Sequence, residues 1–216
     1  MTNLSSKSMP QWAKPLGGIA LIFAVCGVVG YGVGHLAAEV FPHALPAADL
    51  RWSDVLACLL AGGLIFGAIA VLITSLDARR LGRMYKLEGP ASAHEIAVAR
   101  FQALVIGFSG LILLLPMVFS LTGLPPLFGV AAIALLFVAH TVMNWRVYRQ
   151  ADELLRRSVL ETATIAFFLG QGLLFIWAAA ERLGVATPLT AWDVYAVLMA
   201  VYLAASLAVS VRRGLA

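Results

Sequence analysis

The apolar positions of this chain come in long unbroken runs rather than in alternation, and the charged residues fall between the runs. Charge-free intervals cover residues 15 to 38, 55 to 76, 101 to 145, 162 to 180 and 194 to 211. A helix needs roughly 20 predominantly apolar residues to cross about 30 Å of hydrocarbon, so four of these intervals are one span long. The third is twice that length and is divided by Thr122-Gly123-Leu124-Pro125-Pro126, a turn signal. The pattern predicts an all-α integral membrane bundle of six transmembrane helices. The spans fall at about 16–38, 54–76, 101–122, 126–145, 162–180 and 191–211, within a single membrane domain (15–216) that follows a polar tail over 1–14.

Local signals refine the ends. Pro15 suits a first helical turn. The second span is expected to start near Ser53-Asp54 and to outlast the lipid by about two turns through LDARRLGRMYKLEG, until Gly89-Pro90 stops it. Ser92-Ala93-His94-Glu95 has the form of a capping box and predicts the start of the third helix, in which Pro116 predicts a kink. Two caps compete for the fifth helix, Asp152 and the second capping-box pattern Ser158-Val159-Leu160-Glu161. Either choice makes the fourth and fifth helices a tight hairpin projecting past the lipid, because the residues between them favour helix. Trp52-Ser53-Asp54-Val55 and Trp192-Asp193-Val194, the latter after a cap-like Thr190, open the second and sixth helices alike, and S-x-x-E opens at Ser92 and Ser158. Shared capping chemistry and an internal repeat would both produce these matches.

Composition agrees: 62% hydrophobic residues and a mean hydropathy of +0.93 lie far outside soluble usage. A net charge of +4 would suggest a nucleic-acid partner in a soluble protein. Here the positive-inside rule accounts for it, and direct nucleic-acid binding is not expected. With the N-terminus inside, the inner side holds Lys7, Lys14, Arg79, Arg80, Arg83, Lys86, Arg100, Arg146, Arg149, Arg156, Arg157, Arg212 and Arg213, while the outer side holds Arg51 and Arg182. Both termini are therefore expected in the cytoplasm. The first apolar stretch is read as a retained helix, having no obvious A-x-A cleavage site before the next span. Cys26 and Cys58 fall in hydrocarbon-length segments and are read as packing residues.

The segment RVYRQADELLRRSVLETA, residues 146 to 163, gathers Arg146, Arg149, Asp152, Glu153, Arg156, Arg157 and Glu161 between two apolar spans. On one helix Arg149 and Glu153, Asp152 and Arg156, Glu153 and Arg157, and Arg157 and Glu161 stand four apart, where side chains meet. A solvated turn touching lipid headgroups explains the cluster, and so does a docking surface for a cytoplasmic partner or a second copy of the chain. The D-E-x-x-R of Asp152, Glu153 and Arg156, followed by an alanine-rich span, resembles a loosely defined group of small bacterial multi-pass membrane proteins, some encoded beside small helix-turn-helix regulators. The resemblance covers residues 150 to 170. It implies a bacterial inner membrane, no assigned enzyme activity and a cytoplasmic regulator as partner, and it supplies no catalytic residues.

Polar residues inside spans are further candidates, since lipid makes them costly. They are His35 in the first span, His140 with Thr141 and Asn144 in the fourth, and Gln171 in the fifth. His140 is placed to hydrogen-bond Glu161 near the inner surface. No span carries a lysine or a mid-span acid, and H-E-x-x-H is absent, so neither a Schiff base, a coupled-transport carboxylate, a metal site nor another cofactor is expected. Gly30-x-x-x-Gly34 and Gly63-x-x-x-Gly67 offer close packing of the first two helices, or a homodimer. The leading expectation is a non-enzymatic regulator or scaffold in the lipid bilayer, binding a cytoplasmic protein through Arg149, Asp152, Glu153, Arg156 and Arg157. The alternative is a small transporter or channel for a neutral or lipophilic solute, with Gln171 and His140 beside a cavity and Pro116 as a gate.

Overall fold

The computed structural model describes residues 51–122 and 124–213. The tail, the first span, His35, Cys26 and Gly30-x-x-x-Gly34 lie outside the described residues. Those described form six helices: α1 (Trp52–Thr74), α2 (Ala78–Met84), α3 (Ala93–Leu121), α4 (Pro126–Gln150), α5 (Glu153–Arg182) and α6 (Ala191–Arg212). All but α2 are long and apolar enough to cross a membrane, which gives five candidate spans and the character of a multi-pass membrane protein.

Two helix starts follow the sequence signals. The Ser92 hydroxyl accepts from the Glu95 amide and the Glu95 carboxylate accepts from the Ser92 amide, at 3.3 and 2.7 Å. Thr190 and Asp193 exchange the same bonds at the start of α6. Pro126 occupies the first position of α4, where its missing N–H costs nothing.

The expected continuation of the second span does not form. α1 stops at Thr74, and Asp77 caps the separate short helix α2 by accepting from the Arg79 amide at 2.8 Å. The break is fixed by Arg100 of α3, whose guanidinium donates to the Ser75 hydroxyl at 2.9 Å and the Ser75 carbonyl at 3.0 Å. A cation thereby satisfies carbonyls at the end of α1, where the helix dipole favours it. The connector then folds back, Ala91 donating to the Ala78 carbonyl at 2.9 Å, so that Leu81, Ala91 and Ala99 are buried beside Val71 and Ile96.

The fifth helix is settled by the earlier cap. Asp152 accepts from the Leu155 amide at 2.7 Å, and α5 starts at Glu153. Ser158 is thus inside the helix, and its buried hydroxyl donates back to the Leu154 carbonyl at 2.9 Å. It opens nothing, because a helix already begun leaves it no orphan amide to accept from.

Packing runs in the order α4, α3, α1, α6, α5. α1 is central: Ala57, Leu60 and Ala61 bury against Leu113 of α3, with Trp192, Met199, Ala200 and Leu203 of α6 around them. The expected tight hairpin of the fourth and fifth helices is not formed. α4 lies along α3 and α5 along α6, and the two are joined at one end by the short link Ala151-Asp152 without packing along their length.

The expected packing of Gly63-x-x-x-Gly67 on Gly30-x-x-x-Gly34 involves a first span that lies outside the described residues; among the described residues a different pair of glycines is in close contact. Among the described residues a Cβ on Gly63 or Gly67 would meet nothing within 4 Å, whereas one on Gly110 of α3 would stand 2.8 Å from Ile65 and 2.9 Å from the Ala61 carbonyl. Close approach of α1 and α3 therefore depends on Gly110, with Gly107 set against Ala68.

Candidate functional site

Where α4 and α5 part, the described residues leave a cleft between them at the end that carries the basic turns. A cavity of about 770 Å³ is walled by Val105 and Ile106 of α3, Val142, Trp145 and Tyr148 of α4, Leu155 and Val159 of α5, and Tyr202 of α6. Its polar lining is Gln102, Thr141, Asn144 and two tyrosines, and it includes no charged side chain. A second cavity of about 470 Å³ adjoins it at the surface, reaching Tyr85, His94, Glu95 and Asp152. The two share a wall formed by Gln102, Val147, Ala151 and Leu155. Burial pushes the Tyr85 phenol above its ordinary pKa, so that wall position stays an uncharged hydrogen-bonding group.

His140 flanks the larger cavity without lining it. Its Nε2 lies 2.6 Å from Ser109 Oγ of α3, and the ring packs edge-on to Phe108 with centroids 5.9 Å apart. The Asn144 amide nitrogen lies 2.9 Å from the same Nε2, which fixes that side chain at the cavity wall. The expected pairing of His140 with Glu161 is not made. Glu161, on α5, accepts from the Arg213 guanidinium at 3.0 and 2.6 Å and is also reached by Arg212, so it ties α5 to the end of α6. The interhelical distance decides this, since α4 and α5 do not run side by side while α5 and α6 do. Gln171 is exposed on α5 and lines neither of these two cavities.

The charged cluster resolves into separate tasks. The chain leaves helix at Ala151-Asp152, so Arg149 and Glu153 do not share a helix, nor do Asp152 and Arg156 form an ion pair. Asp152 is the cap of α5. Arg156 reaches back across the link and donates to the Tyr148 carbonyl at 3.3 Å and the Arg149 carbonyl at 2.9 Å, with its guanidinium 5.9 Å from the centre of the Tyr148 ring. It therefore closes the end of α4 as Asp152 opens α5. Glu153 and Arg157 form a salt bridge of 2.8 Å with both side chains mostly exposed, the kind of pair worth roughly 0.3–0.5 kcal/mol. Sequence spacing had no means of finding the Arg156 contacts, because they depend on the helix break between donor and acceptors.

At the opposite end of the bundle the two similar helix starts are cross-braced. Asp54 of α1 accepts from the Trp192 indole of α6 at 2.8 Å, and Asp193 of α6 accepts from Arg51, just before α1, at 3.1 Å. Asp193 is 1% exposed and also accepts from the Thr190 hydroxyl at 2.7 Å, while its other carboxylate oxygen and the fully buried Ser53 hydroxyl have no hydrogen-bond partner among the described residues. The matching Trp-Asp starts thus contribute reciprocally to one interhelical joint. Among the described residues no group of three or more His, Cys, Asp or Glu side chains is arranged to hold a metal ion. Searches against protein-family models, curated proteins and solved structures match nothing.

Proposed function

We propose that this protein is a multi-pass membrane protein that binds a lipophilic small molecule in the cleft between α4 and α5, the molecule entering sideways from the hydrocarbon. The carrying observation is the uncharged 770 Å³ cavity at the place where two sequence-adjacent helices fail to pack. Its size falls within the roughly 300–1,000 Å³ typical of small-molecule sites, and its few polar groups are of the kind that orient a ligand. Thirteen basic residues on one side against two on the other support placing both termini and this cleft on the cytoplasmic side, in a bacterial inner membrane. Binding of a fluorescent lipophilic probe such as N-phenylnaphthylamine to the protein in nanodiscs should be saturable. Val105→Phe with Val159→Phe, which fill the cleft, should weaken it about tenfold, equivalent to about 1.4 kcal/mol. Linear partitioning identical in both proteins would remove the proposal.

A second reading, docking of a cytoplasmic protein, is favoured by Glu153, Leu154, Arg157 and Leu160, all exposed on the first turns of α5. Asp152 and Arg156 support that surface by holding the link, while Glu153, Arg157 and Arg149 are available to a partner. The double charge reversal Glu153→Arg with Arg157→Glu keeps the helix and should abolish co-purification of the partner. Retention of the same co-purifying protein would count against docking here.

A further inference from the structure

We infer that the lipophilic molecule held in the cleft is an anionic phospholipid of the adjoining leaflet, with an acyl chain in the 770 Å³ cavity and its phosphate on Arg146 and Arg149. The inference rests on the reading of the cleft as a lipophilic site. On α4, Val142, Trp145 and Arg149 follow one another at spacings of three and four and so share a face. Val142 and Trp145 line the cavity, and Arg149 stands four residues further towards the helix end, about 6 Å at 1.5 Å per residue. An apolar seat thus gives way to a cation over the distance that separates acyl chain from headgroup.

Trp145 and Tyr148 are stacked with centroids 5.9 Å apart, in the position that interfacial aromatics take at headgroup level. The charges near the cleft then discriminate. Arg156 is spent on carbonyls and Arg157 on Glu153, while Arg212 and Arg213 are held by Glu161. Arg146 and Arg149 are exposed and pair with no acidic side chain among the described residues. They are the cations of α4 left to meet a phosphate, and a cluster of basic side chains beside a span is the ordinary recognition element for anionic lipid. The cavity itself has no charged lining, so the head group stays outside while the chain is inside.

The test uses proteoliposomes of phosphatidylcholine containing increasing fractions of dibrominated phosphatidylglycerol or dibrominated phosphatidylcholine. Bromine quenches tryptophan on contact, and the Trp145 share is the difference between the wild type and Trp145→Phe. Half-quenching of Trp145 should need on the order of tenfold less brominated phosphatidylglycerol than phosphatidylcholine. Arg146→Gln with Arg149→Gln, both at exposed positions, should bring the two curves together. Equal curves in the wild type would overturn the anionic-lipid assignment while leaving the cleft standing, provided Val159→Phe still relieves the quenching. Dibromostearate acting as well as the brominated phosphatidylglycerol would overturn the phospholipid in favour of a free fatty acid. Quenching unchanged by Val159→Phe would remove both the lipid and the cleft.

Discussion

Asp193→Ala is expected to cost the folded protein about 3 kcal/mol, the lower end for breaking a buried ion pair, because Arg51 on the other side is about half exposed. The substitution takes away the acceptor for Arg51 and for the Thr190 amide and hydroxyl at once. The Thr190 amide loses its carboxylate partner at the start of α6, and α1 and α6 lose one half of their joint. Thermal denaturation in detergent, followed by far-ultraviolet circular dichroism, would show the loss as a lower midpoint. Asp193→Asn, which keeps an oxygen for the cap, should lose less. Equal midpoints for the wild type and Asp193→Ala would mean that the brace contributes nothing to stability.

Gly110→Ala is the second large effect. Its Cβ would stand 2.9 Å from the Ala61 carbonyl oxygen and 3.2 Å from Leu64 Cβ, and backbone cannot yield as a flexible side-chain tip can. The helices must separate, at about 2–3 kcal/mol by the usual cost of overpacking. Gly63→Ala and Gly67→Ala meet open space in the described structure and should be neutral or gain up to about 1 kcal/mol from helix propensity. Reduced midpoint for Gly110→Ala alone, measured in the same detergent, is the expected outcome. The reverse ranking would mean that the Gly63-x-x-x-Gly67 face, rather than Gly110, sets a helix contact.

The contrast between these glycines shows what a sequence can and cannot convey. Spans are legible because their signal is length without charge, and the boxes at Ser92 and Thr190 are legible because both partners lie within one turn. Ser158 carried the same pattern and did not act, since Asp152 had started the helix six residues earlier. Which face of a helix meets which neighbour was not legible between α1 and α3: Gly107 and Gly110, three apart, make that contact without a G-x-x-x-G motif. The cavity was equally hidden, for it comes from the divergence of α4 and α5 past a link whose residues favour helix. Among the charged residues, the role of Arg156 follows from a break at Ala151-Asp152 that propensity alone does not place.

The brace at the far end has a consequence for biosynthesis. Arg51 and Asp193 are separated by 142 positions in the chain. At about 5–20 residues per second of synthesis, Arg51 is made roughly 7 to 28 seconds before its partner exists. In the finished fold α1 packs on α3, which precedes α6 in the chain, and on α6, which follows. The joint is therefore among the last contacts that synthesis makes possible: until α6 exists, Arg51 has no Asp193 carboxylate to donate to.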